Sequence, residues 1–349
     1  MISNIRLQNF RSYRDQSFEF EDGVNIIVGP NASGKTNLLE AILMMCRGKS
    51  FRVKDAETIM FGKPWARIDA YNNEQNQAIL IDNKGVKANK QFIESGKKYS
   101  KIPNDRKFPV VVFEPNNLRL FHGSPEGRRE YFDDIIEQQY PGFSTKRRSY
   151  ARALAQRNRL LKNAKNTQGQ MFVWDLRLSE IGEEIVKARI GLASEINKQI
   201  DKIYNGISGT KDKLEIKYSS DCDTGQYGSS MLRRLEQKHE DDRLRGFTSS
   251  GPHRDDFVVT INDKPMSSSA SRGETRTLVL ALKIFELDAL EELTNKKPLL
   301  LLDDVFSELD NARRTALTEY LNKTQSFITT TDADILAHKL VKLANVIAI

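Results

Sequence analysis

Val24-Asn25-Ile26-Ile27-Val28 runs into Gly29-Pro30-Asn31-Ala32-Ser33-Gly34-Lys35-Thr36, and then into Asn37-Leu38-Leu39-Glu40-Ala41-Ile42-Leu43. The first piece is apolar but for Asn25 and reads as a buried strand. The last is helical in composition, and a helix is expected from Lys35 to about Arg47. Between them, Gly29 to Thr36 fits G-x-x-x-x-G-K-[ST] in full, in the strand–loop–helix setting that the pattern needs. Backbone N–H groups of such a loop, and of the helix start behind it, point at phosphate oxygens. Gly34 lets the backbone approach closely, Lys35 supplies a point charge to the β- and γ-phosphates, and Thr36 offers a hydroxyl to Mg²⁺.

Working outward, Ile5, Leu7 and Phe10, then Phe18 and Phe20, mark two strands ahead of the phosphate loop. Residues 65 to 93 hold short β-like pieces, such as Ala78-Ile79-Leu80-Ile81, broken by Asn, Asp and Gly; they read as an antiparallel meander. Pro109 to Phe113 is another buried strand. After Pro115 the pattern becomes helical, with helices expected at 127–140, 145–165 and 176–203 and up to Asp242, and one strand at 213–218. From Gly246 an α/β pattern returns: a strand at 257–261, a helix at 271–293, a strand at 299–302, a helix at 311–321 and a strand at 326–330. The expected organisation is α/β: a head built from 1–115 and 246–349, with a mainly helical lobe, 116–245, inserted between them.

Leu299-Leu300-Leu301-Leu302-Asp303-Asp304 is a fully apolar strand ending in two carboxylates, as a buried parallel strand does when its C-terminal end reaches a site. Asp303 is placed to hold Mg²⁺, and Asp304 to orient or activate an attacking water. Ser271 and Gly273, at the start of the 271–293 helix, read first as capping residues. A helix start is also an anion site. Lys146, Arg147, Arg148, Arg152, Arg157, Arg159 and Lys162 crowd one helix, and Arg148, Arg152 and Arg159 fall near one face. Such a face is either solvated or a DNA-phosphate contact. Aromatic residues are sparse there, which favours backbone contact with a duplex over base stacking.

The 349 residues carry a net charge of +7, compatible with nucleic-acid binding and weak as a signal alone. No apolar run of about 18 residues or more exists, so no transmembrane helix is expected. The start of the chain lacks the layout of a signal peptide. The two cysteines, Cys46 and Cys222, lie far apart and the four histidines include no close pair, so neither a disulfide nor a zinc site is expected. A reducing cytoplasm is the expected location.

Taken together, these strings resemble the ATP-binding cassette ATPases of the SMC group, and within it the RecF family most closely. The residues that carry the resemblance are Asn9-Phe10-Arg11-Ser12-Tyr13, the phosphate loop through Asn37, Gly123-Ser124-Pro125, Arg128-Arg129, Gly251-Pro252-His253-Arg254-Asp255-Asp256, and Asp303-Asp304-Val305-Phe306-Ser307-Glu308-Leu309-Asp310. They span nearly the whole chain. The resemblance implies a cassette ATPase head with a mixed sheet, flanking helices and the meander. In it Ser271-Arg272-Gly273-Glu274 is the signature motif, Ser307 to Asp310 the D-loop, and Thr329-Thr330-Thr331-Asp332 the switch region. It also implies an ATP-dependent homodimer, each ATP held by the phosphate loop of one subunit and by Ser271 and Gly273 of the other, with Arg11 on phosphate. Duplex DNA beside a single-stranded gap, RecR with RecO, and RecA loading are the implied partners and task.

Glu274 stands where glutamine is usual in the RecF pattern, 112–118 has no glutamine where cassette ATPases carry a glutamine loop, and the switch region has threonine where transporters carry histidine. The last is RecF-like, as is Asp304 where most cassette ATPases carry glutamate. The shorter acid suggests slow hydrolysis suited to a switch. Three other classes fit less well. An overcoming-lysogenization nuclease needs a further acidic metal domain, an SMC tether needs long heptad coiled coils, and a transporter motor needs the glutamine loop and the switch histidine.

Overall fold

A computed structural model describes residues 1–71, 76–83, 88–162, 168–331 and 344–349. The chain forms two compact units, residues 1–117 with 286–349, and residues 118–285.

The first unit opens with β1 (Asn4–Phe10), β2 (Tyr13–Glu19), β3 (Val24–Val28) and α1 (Lys35–Arg47). It continues with β4 (Trp65–Tyr71), β5 (Asn76–Asp82), β6 (Asn89–Glu94), β7 (Lys97–Tyr99) and β8 (Val110–Phe113). The second unit holds α2 (Pro125–Gln139), α3 (Phe143–Leu161), α4 (Gln168–Asn197), α5 (Ile200–Ser208), β9 (Leu214–Ser219), α6 (Tyr227–Gln237), α7 (His239–Arg245), β10 (Asp256–Ile261), β11 (Lys264–Pro265) and α8 (Met266–Ser269). Helix α9 (Arg272–Thr294) leads out of it, and β12 (Leu299–Asp303), α10 (Asn311–Leu321), β13 (Ser326–Thr330) and β14 (Asn345–Ala348) complete the first.

Two sheets build the first unit. One is antiparallel, in the order β2-β1-β4-β5-β6-β7, and contains the expected meander. The other is parallel, in the order β14-β3-β13-β12-β8. Parallel strands need cover on both faces, which is why β3, β8 and β12 read as near-continuous apolar runs. Helix α1 touches strands of both sheets. It is buried almost all round, from Leu38 through Cys46, as an apolar helix inside a core must be. Register aligns the strand ends: Asp303 sits opposite Thr329, and Thr330 opposite Val28. The C-terminal edge of this sheet therefore carries the phosphate loop after β3, the two carboxylates after β12 and the threonines of β13, at the edge where open α/β sheets bind ligands.

In the second unit α4 is the central element, packing against α2, α3, α6 and β9. The long helix expected over 176–203 is two helices, since α4 ends at Asn197 and α5 starts at Ile200. The side chain of Asn197 leaves the helix to pair with the backbone of Ile216 in both directions, at 2.9 Å each. The strand expected at 257–261 does not join the sheets of the head. As β10 it pairs antiparallel with β9 and β11 in a separate three-stranded sheet. Residues 246–285 accordingly belong to the central unit, whose far boundary lies at 285 where 245 was expected.

Candidate functional site: a phosphate loop and a carboxylate strand end

The loop between β3 and α1 is shaped by neighbours that leave no spare room. A side chain at Gly29 would meet the Ile349 carbonyl at 2.6 Å. Gly34 has φ +110°, a conformation open to glycine, and the Tyr13 hydroxyl lies 2.8 Å from where its Cβ would be. That hydroxyl donates to the Gly34 carbonyl at 3.0 Å. Burial pushes the Tyr13 phenol well above its usual range, so it is a permanent donor. Asn37 Nδ2 donates to Ser12 Oγ at 3.0 Å and ties the helix start to the β1–β2 turn.

Inside the loop, Lys35 Nζ donates to the carbonyls of Gly29 (2.9 Å) and Pro30 (3.0 Å). Its ammonium group thus curls over the loop where a phosphate chain would lie. Thr36 Oγ1 donates to Asp303 Oδ1 at 2.8 Å, and Thr329 Oγ1 donates to the same oxygen at 3.0 Å. Thr329 Oγ1 also accepts the backbone N–H of Asp304 at 2.9 Å. One threonine of β13 therefore holds both carboxylate residues. Burial raises the Asp304 carboxyl above the ordinary aspartate range and the Asp303 charge adds to this, while Lys35 opposes it.

The residues fit a magnesium triphosphate. Ser33 Oγ is buried and makes no hydrogen bond, an orphaned polar atom within the loop. Thr36 and Asp303 together offer the hard oxygen ligands that Mg²⁺ prefers.

Arg11, expected on phosphate, forks onto the buried carboxylate of Glu40 (2.8 and 3.2 Å) and donates to the Glu57 carbonyl (3.1 Å). It lines a cleft of about 600 Å³ with Ser12, Asn37, Met60 and Phe61, and the Phe61 ring is fully exposed. Ser271 and Gly273 lie in the second unit. Ser271 Oγ accepts the N–H of Glu274 at 3.2 Å, and the Glu274 carboxylate accepts the N–H of Ser271 at 2.7 Å. This reciprocal capping box gives the unusual Glu274 a structural use. Of the switch string, Thr329 joins the site and Asp332 lies outside the described residues.

The basic helix divides. Arg148, Arg152 and Arg159 on α3 are exposed, whereas Arg157 is wholly buried between Asp175 (2.5 Å) and Asp242 (2.7 Å). Arg147 is held by Asp133 and Glu137, both at 3.0 Å. The 251–256 string bonds to residues far away in the chain. Asp255 accepts from Tyr218 (2.6 Å), Tyr227 (2.8 Å) and Ser220 (2.8 Å), and His253 Nδ1 meets the Tyr150 hydroxyl at 2.8 Å. Tyr13, Glu40 and Thr329 were not anticipated as site residues. Tyr13 and Thr329 lie within motif strings, and Glu40 is a lone acid on an otherwise apolar helix.

A phosphate loop on one central parallel strand, a carboxylate pair on another and an antiparallel sheet alongside define an ATPase head of the cassette and SMC type. The SMC head bound to the C-winged helix domain of ScpA shares that fold at a TM-score of 0.51 and 17% identity, covering 96% of this chain and 91% of that one.

The family model for the RecF/RecN/SMC N terminal domain matches residues 1–348. The DNA replication and repair protein RecF of Halalkalibacterium halodurans is 35% identical over 360 residues, 99% of this chain and 96% of its own. That of Bacillus subtilis (strain 168) is 35% identical over 361 residues, 98% and 96%. The solved structure of the recombination mediator protein RecF-ATP in the RecFOR pathway matches with a TM-score of 0.84 at 32% identity, covering 95% of this chain and 92% of that one. The chain belongs to the RecF family of DNA replication and repair proteins.

Proposed function

We propose that the protein is an ATP-switched DNA clamp of recombinational gap repair, acting in the cytoplasm. ATP lies along the phosphate loop, with Lys35 leaving the Gly29 and Pro30 carbonyls for the β- and γ-phosphates. Residues Gly29 to Asn37 form the cradle, and Ser33 Oγ gains the partner it lacks. Thr36 and Asp303 would hold Mg²⁺, which would supply neutralisation of the phosphate charge. Asp304 orients the attacking water and takes up its proton, and hydrolysis is slow. The cleft beside Arg11 takes the nucleoside, with Phe61 against the base. Ser271 and Gly273 of a second subunit complete each site, so ATP drives dimerisation and hydrolysis reverses it. Arg148, Arg152 and Arg159 hold duplex DNA beside a single-stranded gap. RecR and RecO are the partner proteins, and RecA loading is the outcome.

The observation that carries this reading is the hydrogen-bonded set Thr36–Asp303–Thr329–Asp304 next to Lys35, which joins metal ligand and base to one strand end. The test is binding to a gapped duplex with ATP, with ADP, and with Asp304→Asn plus ATP, while following mass. ATP should give a DNA-bound dimer, ADP should not, and the variant should hold the dimer. A mass and DNA affinity indifferent to nucleotide would refute the clamp.

A further inference from the structure

Three strings that stand out in the sequence take no part in holding the nucleotide: Gly123-Ser124-Pro125, Arg128-Arg129 and Gly251 to Asp256. In the central unit they meet. Arg128 forks onto the Asp256 carboxylate (2.9 and 2.6 Å), and its third nitrogen donates to the Gly123 carbonyl at 2.8 Å. Arg129 donates to the Asp255 carbonyl at 2.7 Å. Ser124 caps α2 by accepting from Gly127 N at 3.3 Å. On the other side, the His122 N–H donates to the Arg119 carbonyl at 3.1 Å, and Leu120 and Phe121 are buried. The backbone on both sides of His122 is therefore clamped.

What this clamp presents is the His122 ring, whose Nε2 lies 3.1 Å from Thr275 Oγ1. Thr275 is buried, and its hydroxyl donates to the Ser271 carbonyl at 3.0 Å, which also accepts the Thr275 N–H at 3.0 Å. A hydroxyl has one hydrogen, so both bonds form together only if His122 donates from Nε2. The ring therefore carries its hydrogen on Nε2. The line then runs from Asp256 through Arg128 and the Gly123 carbonyl to His122, Thr275 and the backbone of Ser271.

We infer that His122 is a positioning residue for the signature serine: mounted by the Arg128–Asp256 bracket, it pins the first turn of α9 so that Ser271 is held in one orientation. The first turn of a helix lacks intrahelical partners for its N–H groups and frays unless something holds it. The inference rests on the clamp reading, in which Ser271 completes a nucleotide site in a second subunit. Glutamine places an amide N–H near where Nε2 stands, so His122→Gln should retain the bond that His122→Ala loses.

The test uses the full chain with His122→Ala, His122→Gln, Thr275→Val and the His122→Ala/Thr275→Val pair. The first readout, free of nucleotide, is amide hydrogen exchange over residues 272–275. Exchange should quicken in His122→Ala, stay near wild type in His122→Gln and leave α2 unchanged. The second is ATP-driven dimerisation beside ATP affinity of the dilute monomer. Monomer affinity should hold within about twofold, while dimerisation weakens roughly tenfold or more in His122→Ala and in Thr275→Val. The pair should be no worse than the poorer single variant. Unchanged exchange in His122→Ala, exchange as fast in His122→Gln as in His122→Ala, or a fully additive pair would each overturn the inference. If wild type fails to dimerise with ATP, the clamp reading falls, and exchange still decides whether His122 holds Ser271.

Discussion

Replacing Arg157 by methionine separates a structural arginine from the exposed ones on its helix that are proposed to hold DNA. The guanidinium is wholly buried. It bonds Asp175 at 2.5 Å, Asp242 at 2.7 Å and the Thr248 hydroxyl at 2.9 Å. Methionine fills much of the volume but leaves two carboxylates inside the unit without their cation. Breaking a buried ion pair from one side costs about 3–5 kcal/mol. That is from about a fifth to all of the roughly 5–15 kcal/mol by which a domain is stable. The loss should fall on the central unit alone, and the tryptophans make that measurable. The chain has two, Trp65 in the head and Trp174 in the central unit. In a Trp65→Phe background, urea unfolding followed by Trp174 fluorescence should shift its midpoint down with its slope unchanged.

The pH dependence has a fixed sign. Burial already raises the Asp175 carboxyl above its ordinary range, against the pull of Arg157. Without that arginine it rises further, so the folded variant holds a proton that the unfolded chain releases. The deficit is then largest at neutral pH and shrinks as the pH falls toward carboxyl protonation. Under conditions where the variant is folded, the salt dependence of its DNA binding should match wild type. A central unit of wild-type stability, or a shallower salt slope in the folded variant, would refute the assignment.

Alanine at Arg148, Arg152 or Arg159 should do the reverse: stability within about 0.5 kcal/mol of wild type, and a salt slope of duplex binding smaller by roughly one for each phosphate no longer engaged, read by fluorescence anisotropy across a salt series. Asp304→Asn should abolish phosphate release while keeping ATP binding. In wild type, the acid limb of kcat/KM for ATP should lie above the ordinary aspartate value because burial raises that carboxyl. Phe61→Ala should weaken ATP several-fold and leave inorganic triphosphate unaffected, by calorimetry, since stacking on an aromatic ring is worth about 1–3 kcal/mol. His253, its pKa lowered by burial from 6.5 to about 4, stays neutral in the folded chain over a range where the unfolded chain binds a proton. Stability is therefore lost as pH falls from 6.5 toward 4, and the advantage of wild type over His253→Gln should shrink by up to about 3 kcal/mol across that window, measured by thermal melting.

The phosphate loop and the carboxylate strand end of the candidate site were legible because their chemistry is local. Eight consecutive residues make the loop, and an apolar run into Asp303 and Asp304 makes the strand end. What was not legible depends on partners far away in the chain. Arg157 looks like one more cation on a basic helix, and its partners Asp175, 18 residues on, and Asp242, 85 residues on, show that it is interior. Strand β10 has the composition of a head strand, and its pairing with β9 places it in the central unit. Glu274 reads as a departure from the usual signature, yet a Ser-x-x-Glu spacing is also the spacing of a capping box, and the carboxylate turns to the Ser271 N–H. The use of Thr329 to hold both carboxylates needed the register of two strands that are adjacent only in space.

The backbone at Asp304 is left-handed, with φ +52°. An ordinary side chain there costs about 1–2 kcal/mol, and asparagine, aspartate and glycine tolerate it best. The choice of an inactive variant is therefore not neutral. Glutamine or alanine would alter the chemistry and also pull the peptide toward another shape, loosening the Asp304 N–H from Thr329, so a lost dimer could be read as lost catalysis. Asparagine changes the acid and leaves the turn at rest. The same preference offers a reason for the short acid at this position: a longer glutamate would tolerate the left-handed bend less well than aspartate does.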